Sequence, residues 1–398
     1  MAVSSGHSWA VGRARLVLRV GILTERIAPG DGWGSYAAGL TLGLQRLGVE
    51  LVLIAAQAQA SGGPVGIVPH VMLPAPVGRR LGTLRSLALA ERLRQRLRSC
   101  DLIHCLVEPY LPLAAASRLP GQPLVATAHG TWAVRPLQRW PASLLYRWAW
   151  SSADLVVCQS QHTCRRLAAK VQLKRQAAIP GGVELAQWSG SGESGGGAGS
   201  GHPLVLTVGS SKARKGLEEA VRAVAIAARQ FPGIQHVVVG RISQRDQDKL
   251  QAVAEQVGAV NRVAFRSQLS ADELADLYRR AAVNLLLPID SQGSFEGLGL
   301  TYLEAAAAGT PSIATTGSGA EEAVIDGRTG VLVPPHDPAR AAEAILRLVG
   351  DENLRSEMGR AASDHAQAFG WDRVAARLLA EYQLLLAARP RTRTAAGT

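Results

Sequence analysis

The sequence lacks an apolar run long enough to cross a bilayer, and we expect no secretion signal among its first residues. A membrane-spanning helix needs about 20 consecutive, mostly apolar residues, and Arg13, Arg15 and Arg19 interrupt each apolar stretch near the N-terminus. The composition is 47% hydrophobic and 19% charged, which is typical of a folded globular chain and argues against disorder. We therefore expect a folded cytoplasmic protein.

Cysteine is scarce, and no CxxC pair of the kind found in zinc and redox sites occurs among the four residues Cys100, Cys105, Cys158 and Cys164. His104 and His162 lie between the members of each closely spaced pair, so a metal site is an alternative. Buried, reduced thiols are the ordinary state of cysteine in a reducing compartment. We predict that the protein holds no metal and no bound cofactor.

The sequence also lacks a dinucleotide-binding fingerprint. The nearest approach to GxGxxG is PGDGWGS (Pro29–Ser35), in which Ser35 stands where the last glycine is required. This disfavours a Rossmann dehydrogenase. The chain contains no recognised nucleic-acid-binding module either, so we expect no nucleic-acid partner.

Positive charge is concentrated in one half of the chain. Residues 1–188 contain 21 Lys and Arg against 8 Asp and Glu, a balance of +13, whereas residues 189–398 contain 22 against 23, a balance of −1. We therefore expect an anionic partner to meet the first half.

A Gly/Ser tract, Ser189–Gly201, divides the chain, because it cannot bury apolar area and is typical of a flexible linker. A chain of 398 residues is also too long for one ordinary core. We predict an N-terminal domain over residues 1–188, the linker over 189–201, a C-terminal domain over 202–370 and a disordered tail over 389–398.

Short apolar runs alternate with segments of helical period on both sides of the tract. The predicted strands are Arg19–Thr24, Leu51–Ala55, Leu102–Cys105, Leu124–Ala128, Leu155–Cys158, Leu204–Val208, His236–Val239, Val283–Leu287, Ser312–Ala314 and Gly330–Val333. The helices predicted between them include Ser35–Leu47, Leu217–Gln230, Ala271–Ala281 and Pro338–Val349. Fully apolar strands are typical of parallel sheets covered on both faces. The pattern predicts an α/β fold with two doubly wound, Rossmann-like domains facing a cleft.

A basic turn follows strand Leu204–Val208 and precedes a helix that begins near Leu217. Its cations, Lys212, Arg214 and Lys215, together with a helix N-terminus, form a candidate diphosphate site. The alternative is a solvated basic turn.

Two glutamates, Glu296 and Glu304, lie eight residues apart among glycines and alanines. Gly297 and Gly299 predict a loop that leads into a helix ending before Gly309, so Glu296 precedes this helix and Glu304 lies inside it. A buried acid on so apolar a helix needs hydrogen-bond donors, and the two hydroxyls of a ribose are suitable ones. The alternative is an N-terminal acid plus an exposed helix acid.

These residues resemble a known family. Glu296-x7-Glu304 in EGLGLTYLEAAAAGTP is similar to the paired-glutamate motif of the retaining glycosyltransferases of family 4. The segments ARKGLEEAVRAV, SGAEEAVIDGRTGVLVPPHDP, DLIHC, VATAHG, ADLVVCQS and IPGGVE resemble further motifs of that family. WDRVAARLLAEYQ resembles its C-terminal helix, so we expect a helix over residues 371–388 that crosses back to the N-terminal domain.

The resemblance implies a GT-B fold with the nucleotide-sugar donor in the C-terminal domain and the acceptor mainly on the N-terminal one. By position, Glu304 would hold the ribose and Lys215 the diphosphate. Glu296 would meet the donor sugar, with His129 close by. Glu296, His129 and Lys215 are thus the expected catalytic residues. The other expected donor-binding residues are Gly209, Arg214, Gly297, Leu298, Gly299 and Leu300, and Gly32 and Gly34 would shape a phosphate loop of the N-terminal domain.

Three positions depart from the family pattern, and one of them is Ser267, which stands where a glycine is usual. Ser210 stands where an arginine is common, so Arg214 or Lys212 would have to supply that charge, and Gly181 stands where asparagine is usual. Asp246-Gln247-Asp248 imitates a metal-binding DxD motif, but we expect it to open an exposed helix away from the site.

Two basic segments of the first half carry apolar side chains. LGTLRSLALAERLRQRLRS (Leu81–Ser99) places leucines and arginines at helical spacing, and PLQRWPASLLYRWAW (Pro136–Trp150) adds tryptophans. Such stretches suit peripheral contact with an anionic membrane. The alternative is an ordinary helix with leucines in the core and arginines in water.

The resemblance therefore implies a retaining glycosyltransferase that moves a sugar from a nucleotide-sugar donor to a glycan, lipid-linked or other hydroxyl acceptor in cell-envelope or polysaccharide biosynthesis. A nucleotide-sugar epimerase of the same fold is one alternative. A catalytically degenerate membrane-surface scaffold is another, motivated by Ser210 and Gly181.

Overall fold

The computed structural model describes residues 17–28, 30–58, 66, 68–76, 86–190, 202–267, 269–291 and 293–388. Its strands are β1 (Arg19–Thr24), β2 (Glu50–Ala55), β3 (His70–Val71), β4 (Leu102–Cys105), β5 (Leu124–Ala128), β6 (Leu155–Cys158), β7 (Gln176–Ala178), β8 (Leu204–Val208), β9 (Gln235–Val239), β10 (Val263–Arg266), β11 (Val283–Leu285), β12 (Ser312–Thr315) and β13 (Gly330–Val333). The predicted linker after Gly190 and the predicted tail lie outside the described residues.

The α-helices are α1 (Gly32–Arg46), α2 (Ala90–Leu97), α3 (Leu111–Ser117), α4 (Thr131–Val134), α5 (Ala142–Ser152), α6 (Gln161–Ala168), α7 (Leu185–Trp188), α8 (Leu217–Gln230), α9 (Gln244–Gln256), α10 (Ala271–Arg280), α11 (Leu300–Ala307), α12 (Pro338–Gly350), α13 (Glu352–Ala366) and α14 (Trp371–Ala387). Short 3₁₀ turns cover Glu108–Tyr110, Arg135–Gln138, Ala213–Lys215, Val260–Arg262, Gly319–Glu322 and Gln367–Phe369.

The strands form two separate parallel sheets. One sheet has the order β3-β2-β1-β4-β5-β6-β7 and the other the order β10-β9-β8-β11-β12-β13. In each, the strand order reverses beside the first strand of its domain, and ligands of doubly wound sheets bind at the carboxyl ends of the strands at such a reversal. The predicted fold class is confirmed, with two Rossmann-like α/β sheets.

All ten predicted strands occur, most of them with bounds within one residue of the prediction. The three strands that the sequence did not predict, β3, β7 and β10, are each at the edge of a sheet. Edge strands bury less of their surface, so the apolar run that predicts a central strand is absent; β10, for example, has no fully buried residue.

Helix α1 begins earlier than predicted. Asp31 caps it and accepts a hydrogen bond from the Gly34 amide over 2.8 Å, so Gly32 and Gly34 lie in the first helical turn and not in a loop. The cap explains the difference, because an Asp at the N-cap satisfies the free amides of the first turn and starts the helix at the next residue.

The last helix, α14, packs on the N-terminal sheet's side of the molecule, along α1. A Cβ placed on Gly39 of α1 would lie 1.9 Å from the Trp371 ring, so this close helix contact requires glycine. Tyr382 Oη lies 2.5 Å from His104 Nδ1 of β4, and His104 Nε2 lies 2.8 Å from Thr127 Oγ1 of β5. The C-terminal helix is therefore fixed to the first sheet by both packing and buried hydrogen bonds.

The chain crosses between the two sheets at two adjacent points. The Val183 amide donates to the Phe369 carbonyl over 2.8 Å, and Val183 pairs with Gly370 in an isolated bridge. Trp188 of α7 already packs in the second core, edge to face with Tyr278. The crossing thus precedes residue 188, the boundary that the sequence predicts for the first domain.

Candidate active site

The basic turn after β8 places two buried cations beside Glu296. Lys215 Nζ lies 2.9 Å from Glu296 Oε2, and the Arg214 guanidinium is also ion-paired with that oxygen. The three side chains are only 8–16% exposed. The turn can close because Gly216 adopts φ +61°, where a Cβ would lie 1.8 Å from the Leu287 carbonyl oxygen.

Burial and the neighbouring charges act in opposite directions on the pKa values at this turn. Burial raises the pKa of Glu296, but Lys215 and Arg214 outweigh burial and hold that pKa below its usual value. Burial lowers the pKa of Lys215, and the adjacent Arg214 lowers it further against the opposing effect of Glu296. Glu296 thus pairs with two cations at once and Lys212 lies close by, so an anion bound at the turn could form further ion pairs with these cations.

Glu304 lies one helix turn inside α11, at the same end of the cleft. Its Oε2 accepts a hydrogen bond from Tyr278 Oη over 2.9 Å. Burial raises the pKa of Glu304, and the Tyr278 hydrogen bond opposes that rise. The other carboxylate oxygen makes no hydrogen bond within the described part of the chain, so it could accept hydrogen bonds from a pair of hydroxyl groups.

The glycines around Glu296 allow the backbones of the two domains to come into close contact. Gly299 caps α11 with φ +84°, so the helix starts at Leu300. A Cβ on Gly297 would lie 1.7 Å from the His129 carbonyl oxygen, and one on Gly130 would lie 3.1 Å from the Gly297 backbone. Backbone packs on backbone here, which places His129 of the first domain next to the Glu296 loop of the second.

Phe295 anchors this loop in the other domain. Its side chain is 1% exposed and belongs to the N-terminal core. Thr131 Oγ1 accepts from the Phe295 amide over 3.0 Å and lies 2.9 Å from its carbonyl oxygen. The Arg166 guanidinium lies 4.3 Å from the Phe295 ring centroid. The position of Glu296 therefore depends on contacts with the N-terminal domain.

His129 is held as a neutral imidazole. Its Nε2 donates to the Leu106 carbonyl over 2.7 Å, and its ring packs edge to face on Tyr36 with centroids 4.8 Å apart. Burial lowers the pKa of His129 to about 4 despite the Leu106 hydrogen bond. At neutral pH the Nδ1 lone pair is consequently available as an acceptor.

Glu108, which the sequence analysis did not single out, lies behind His129. It is 1% exposed, and its Oε1 accepts from the His129 amide over 2.7 Å. Its Oε2 is enclosed without a hydrogen-bond partner among the described residues. Burial raises the pKa of Glu108 to about 8, although the His129 and Gly130 amides favour its carboxylate. An acid just after a buried strand in an otherwise apolar stretch is the signal that could have identified it.

The first turn of α1 faces the second domain through Arg241. Arg241 Nη2 donates to the Gly30 carbonyl over 2.6 Å and lies 3.5 Å from Asp31 Oδ2. Gly34 is confined by the Ala28 carbonyl oxygen, which would lie 2.2 Å from a Cβ. The structure thus brings Gly32 and Gly34 to the cleft, at the start of a helix.

The expected residues fall into two groups across the cleft. The C-terminal domain supplies the larger group, which consists of Gly209, Arg214, Lys215, Glu296, Gly297, Leu298, Gly299, Leu300 and Glu304. The N-terminal domain supplies His129, Gly32 and Gly34. Sequence analysis missed Glu108, Phe295, Tyr278 and Arg241, because each acts through a partner far away in the chain.

Two of the three departures, at positions 210 and 181, have structural consequences. Arg214, rather than a residue at 210, is the arginine that reaches Glu296. A Cβ on Gly181 would lie 2.8 Å from both Gln159 Oε1 and Leu300 Cδ2, so glycine suits the packing between the domains here.

The Asp246 prediction needs correction in one respect. Asp246 Oδ2 accepts from Ser211 Oγ over 2.7 Å, so this aspartate lies beside the basic turn and not away from it. Its other partner is Ser243, the residue that caps α9. Within the described ranges, no group of three or more His, Cys, Asp or Glu side chains could hold a metal ion. All four cysteines are free and buried.

Two family models match successive parts of the chain. Residues 30–187 match the family model described as Glycosyltransferase Family 4, and residues 195–365 match the one described as Glycosyl transferases group 1. The two matches together cover most of the chain. The chain belongs to family 4 of the glycosyltransferases, as its motifs predicted.

The curated relatives of this family member include two enzymes named D-inositol 3-phosphate glycosyltransferase. That of Paenarthrobacter aurescens is 38% identical over 45% of this chain and 43% of its own, and that of Acidothermus cellulolyticus is 40% identical over 48% of this chain and 43% of its own. The chain therefore aligns with less than half the length of these relatives.

Solved structures show the GT-B fold over nearly the whole family 4 chain. Sucrose-phosphate synthase of Thermosynechococcus elongatus superposes with a TM-score of 0.74 at 22% identity, covering 94% of this chain and 100% of its own. HepE of Anabaena, solved in complex with UDP and glucose, superposes with a TM-score of 0.75 at 18% sequence identity. The match covers 92% of this chain and 100% of the HepE chain. No helix among the described residues is long and apolar enough to span a membrane.

Proposed function

We propose that the protein is a retaining glycosyltransferase that moves a sugar from a nucleotide-sugar donor to a hydroxyl acceptor. One arrangement carries the proposal: the buried cations of the Ala213–Lys215 turn and the carboxylates of Glu296 and Glu304 lie on one side of the cleft, and His129 lies on the other. This arrangement offers a separate partner to each part of such a donor.

The donor would bind with its diphosphate at the basic turn and its ribose at Glu304. Arg214 and Lys215 can make charge-assisted hydrogen bonds to phosphate oxygens, and the free oxygen of Glu304 can accept from ribose hydroxyls. UDP is our first choice of nucleotide, since the structural neighbour HepE was solved with it.

Cleavage of the anomeric C–O bond develops negative charge on the departing diphosphate and positive charge on the sugar. Arg214 and Lys215 are already in place and largely removed from water, so they stabilise the leaving group without reorganisation. No metal is needed for this purpose.

Glu296 would act by positioning the sugar and the cations rather than as a nucleophile. Its carboxylate is already paired with Lys215 and Arg214, and a carboxylate whose pKa is held low is a poor nucleophile. Retention would then follow from attack by the acceptor hydroxyl on the leaving-group face: its oxygen bonds to the anomeric carbon as the bond to the diphosphate breaks, and its proton passes to a departing phosphate oxygen. The neutral His129 lies beside the reacting sugar.

The acceptor would be a glycan, a polyol phosphate or a lipid-linked hydroxyl compound of cell-envelope or polysaccharide biosynthesis, met at the cytoplasmic face of the membrane. The basic balance of residues 1–188 suits an anionic acceptor. A polyol phosphate is included because the curated relatives are named for inositol 3-phosphate.

Donor screening followed by mass spectrometry of the products tests the proposal. Wild-type protein and the Glu304→Ala variant are incubated with UDP- and GDP-sugars, with and without candidate acceptors. We expect an acceptor-dependent glycoside of retained anomeric configuration from the wild type and little from the variant.

Three outcomes would contradict this proposal. An inverted glycoside would exclude retention. An epimerised sugar nucleotide without transfer would indicate an epimerase. Absence of nucleotide-sugar binding at millimolar concentration in calorimetry would indicate a non-catalytic scaffold.

A further inference from the structure

Helix α5 has two apolar faces, and only one of them is covered. Tyr146, Ala149 and Trp150 are buried in the N-terminal core. Leu144 and Trp148, four residues apart and therefore on one face of the helix, are 63% and 47% exposed. Trp140, just before the helix, is 78% exposed. We call Trp140, Leu144 and Trp148 the aromatic patch.

Cations surround the aromatic patch. Arg139 and Arg147 are exposed on the same segment. Arg147 donates to the Lys170 carbonyl, which brings the exposed Lys170 beside α5. Asp154 lies at the end of this helix, but its carboxylate is already paired with Arg118 and Lys174. The patch is thus apolar and aromatic at its centre and positive at its edge.

The patch lies close to the mouth of the cleft. His129 and Trp140 are separated by eleven positions, and the segment between them follows the other domain: Thr131 bonds to Phe295, and a Cβ on Gly293 would lie 2.8 Å from Gln138 Oε1. Trp140 follows Gln138 by two residues. A surface bound to the patch would therefore present its molecules next to the Glu296 loop.

The other basic segment of the first half does not share this geometry. Within residues 86–99, Leu93 and Leu97 of α2 are buried, while Arg92, Arg96 and Arg98 point into solvent. That helix has the ordinary amphipathic arrangement. The structure therefore separates two segments that looked equivalent in the sequence.

We infer that the aromatic patch binds the surface of an anionic lipid membrane and so directs the cleft toward a lipid-linked acceptor. Tryptophan is favoured at the headgroup level of a bilayer because its ring is apolar and its N–H is polar. Flanking arginines and lysines are attracted to anionic headgroups. An exposed apolar patch with basic residues beside it matches this partner in both polarity and charge.

The inference deepens the proposed function, and its test is independent of catalysis. Full-length protein is sedimented with vesicles of phosphatidylcholine alone or of phosphatidylcholine with phosphatidylglycerol, without donor or acceptor. We compare the wild type with a Trp140→Ser/Leu144→Ser/Trp148→Ser variant and with Leu384→Ser. Leu384, on α14, is 55% exposed and serves as the matched control.

We expect binding to the anionic vesicles that weakens with added salt, falls at least tenfold in the triple variant and persists in Leu384→Ser. Arg139→Glu should reduce it as well. The changed side chains are exposed, so thermal unfolding and UDP binding should not change; UDP binding reports on the proposed donor site separately.

The inference would be overturned if the wild-type protein did not bind anionic vesicles. It would also be overturned if the triple variant bound them as strongly as the wild type does. Sedimentation velocity supplies a further decisive result. If the wild type sedimented as a dimer and the triple variant as a monomer, the patch would be assigned to contact with a second copy of the chain instead.

Discussion

Tyr278 Oη donates a hydrogen bond to Glu304 Oε2 over 2.9 Å, so one oxygen of the expected ribose-binding carboxylate is already occupied. Tyr278 belongs to α10 and Glu304 to α11. The bond orients the carboxylate, and it leaves the other oxygen for a ligand.

Glu304→Ala should weaken nucleotide-sugar binding by roughly tenfold or more, because it removes a charged acceptor of ligand hydroxyls. Tyr278→Phe should cost about 1 kcal/mol of unfolding free energy but change affinity only a few-fold, since the carboxylate remains. Calorimetry with UDP and thermal unfolding measure the two effects. If wild type and Glu304→Ala bound UDP with equal affinity, Glu304 would not be the residue that holds the ribose.

Lys215→Ala and Arg214→Ala should each weaken UDP binding by roughly 10- to 100-fold, because both cations face the proposed diphosphate position. The exposed Arg229, at the end of α8, provides the control substitution Arg229→Ala. Titrations at several salt concentrations give the measurement. If Arg229→Ala reduced the affinity for UDP as much as the other two substitutions, only the overall charge of the protein would determine UDP binding.

Glu296→Gln should lower kcat by at least about 100-fold and leave UDP binding equal or tighter. UDP binding is retained because the substitution removes the negative charge that competes with phosphate for Lys215 and Arg214. The value of kcat falls because those two cations are no longer held in position for the leaving group. Steady-state kinetics and calorimetry separate the two effects. Trapping of a covalent glycosyl adduct on wild-type Glu296 would contradict the positioning role.

Phe295→Ala should reduce the free energy of unfolding by about 3 kcal/mol, the usual cost of deleting a buried phenyl ring, and lower kcat as well. The ring fixes the Glu296 loop to the N-terminal core. Phe265→Ala, in a partly buried position of β10, is the matched control and should leave kcat unchanged. Denaturant unfolding and initial rates are the measurements, and similar rates for both variants would show that the contact does not position Glu296.

Glu108→Gln should flatten the pH dependence of stability between pH 5 and 8. The pKa of Glu108 rises from 4.5 to about 8 in the folded protein, so in this window the native state binds more protons than the unfolded state and wild-type stability falls as pH rises. The slope for one such proton is at most about 1.4 kcal/mol per pH unit. Urea unfolding of both proteins at several pH values measures this slope. If the free energy of unfolding changed with pH equally in wild type and Glu108→Gln, Glu108 would be ionised across this pH range in the folded protein.

Local patterns in the sequence determined the fold of this protein. Short apolar runs predicted the central strands, and glycines with helical periodicity predicted α8, α10 and α11, because burial and backbone conformation act over a few neighbouring residues. The motif around Glu296 and Glu304 predicted the family for the same reason, since its loop and helix are contiguous in the chain.

Tertiary structure alone decided what those residues contact. Lys215 reaches Glu296 across 81 positions of the chain, and Phe295 enters the core of the other domain. Glu108 accepts from the amide of His129, the residue that follows the neighbouring strand β5. The two basic segments had similar composition, yet among their described residues α5 leaves an apolar face uncovered and α2 does not. Such contacts depend on how distant elements pack, and neither the spacing nor the composition of a segment records which of its faces another element will cover.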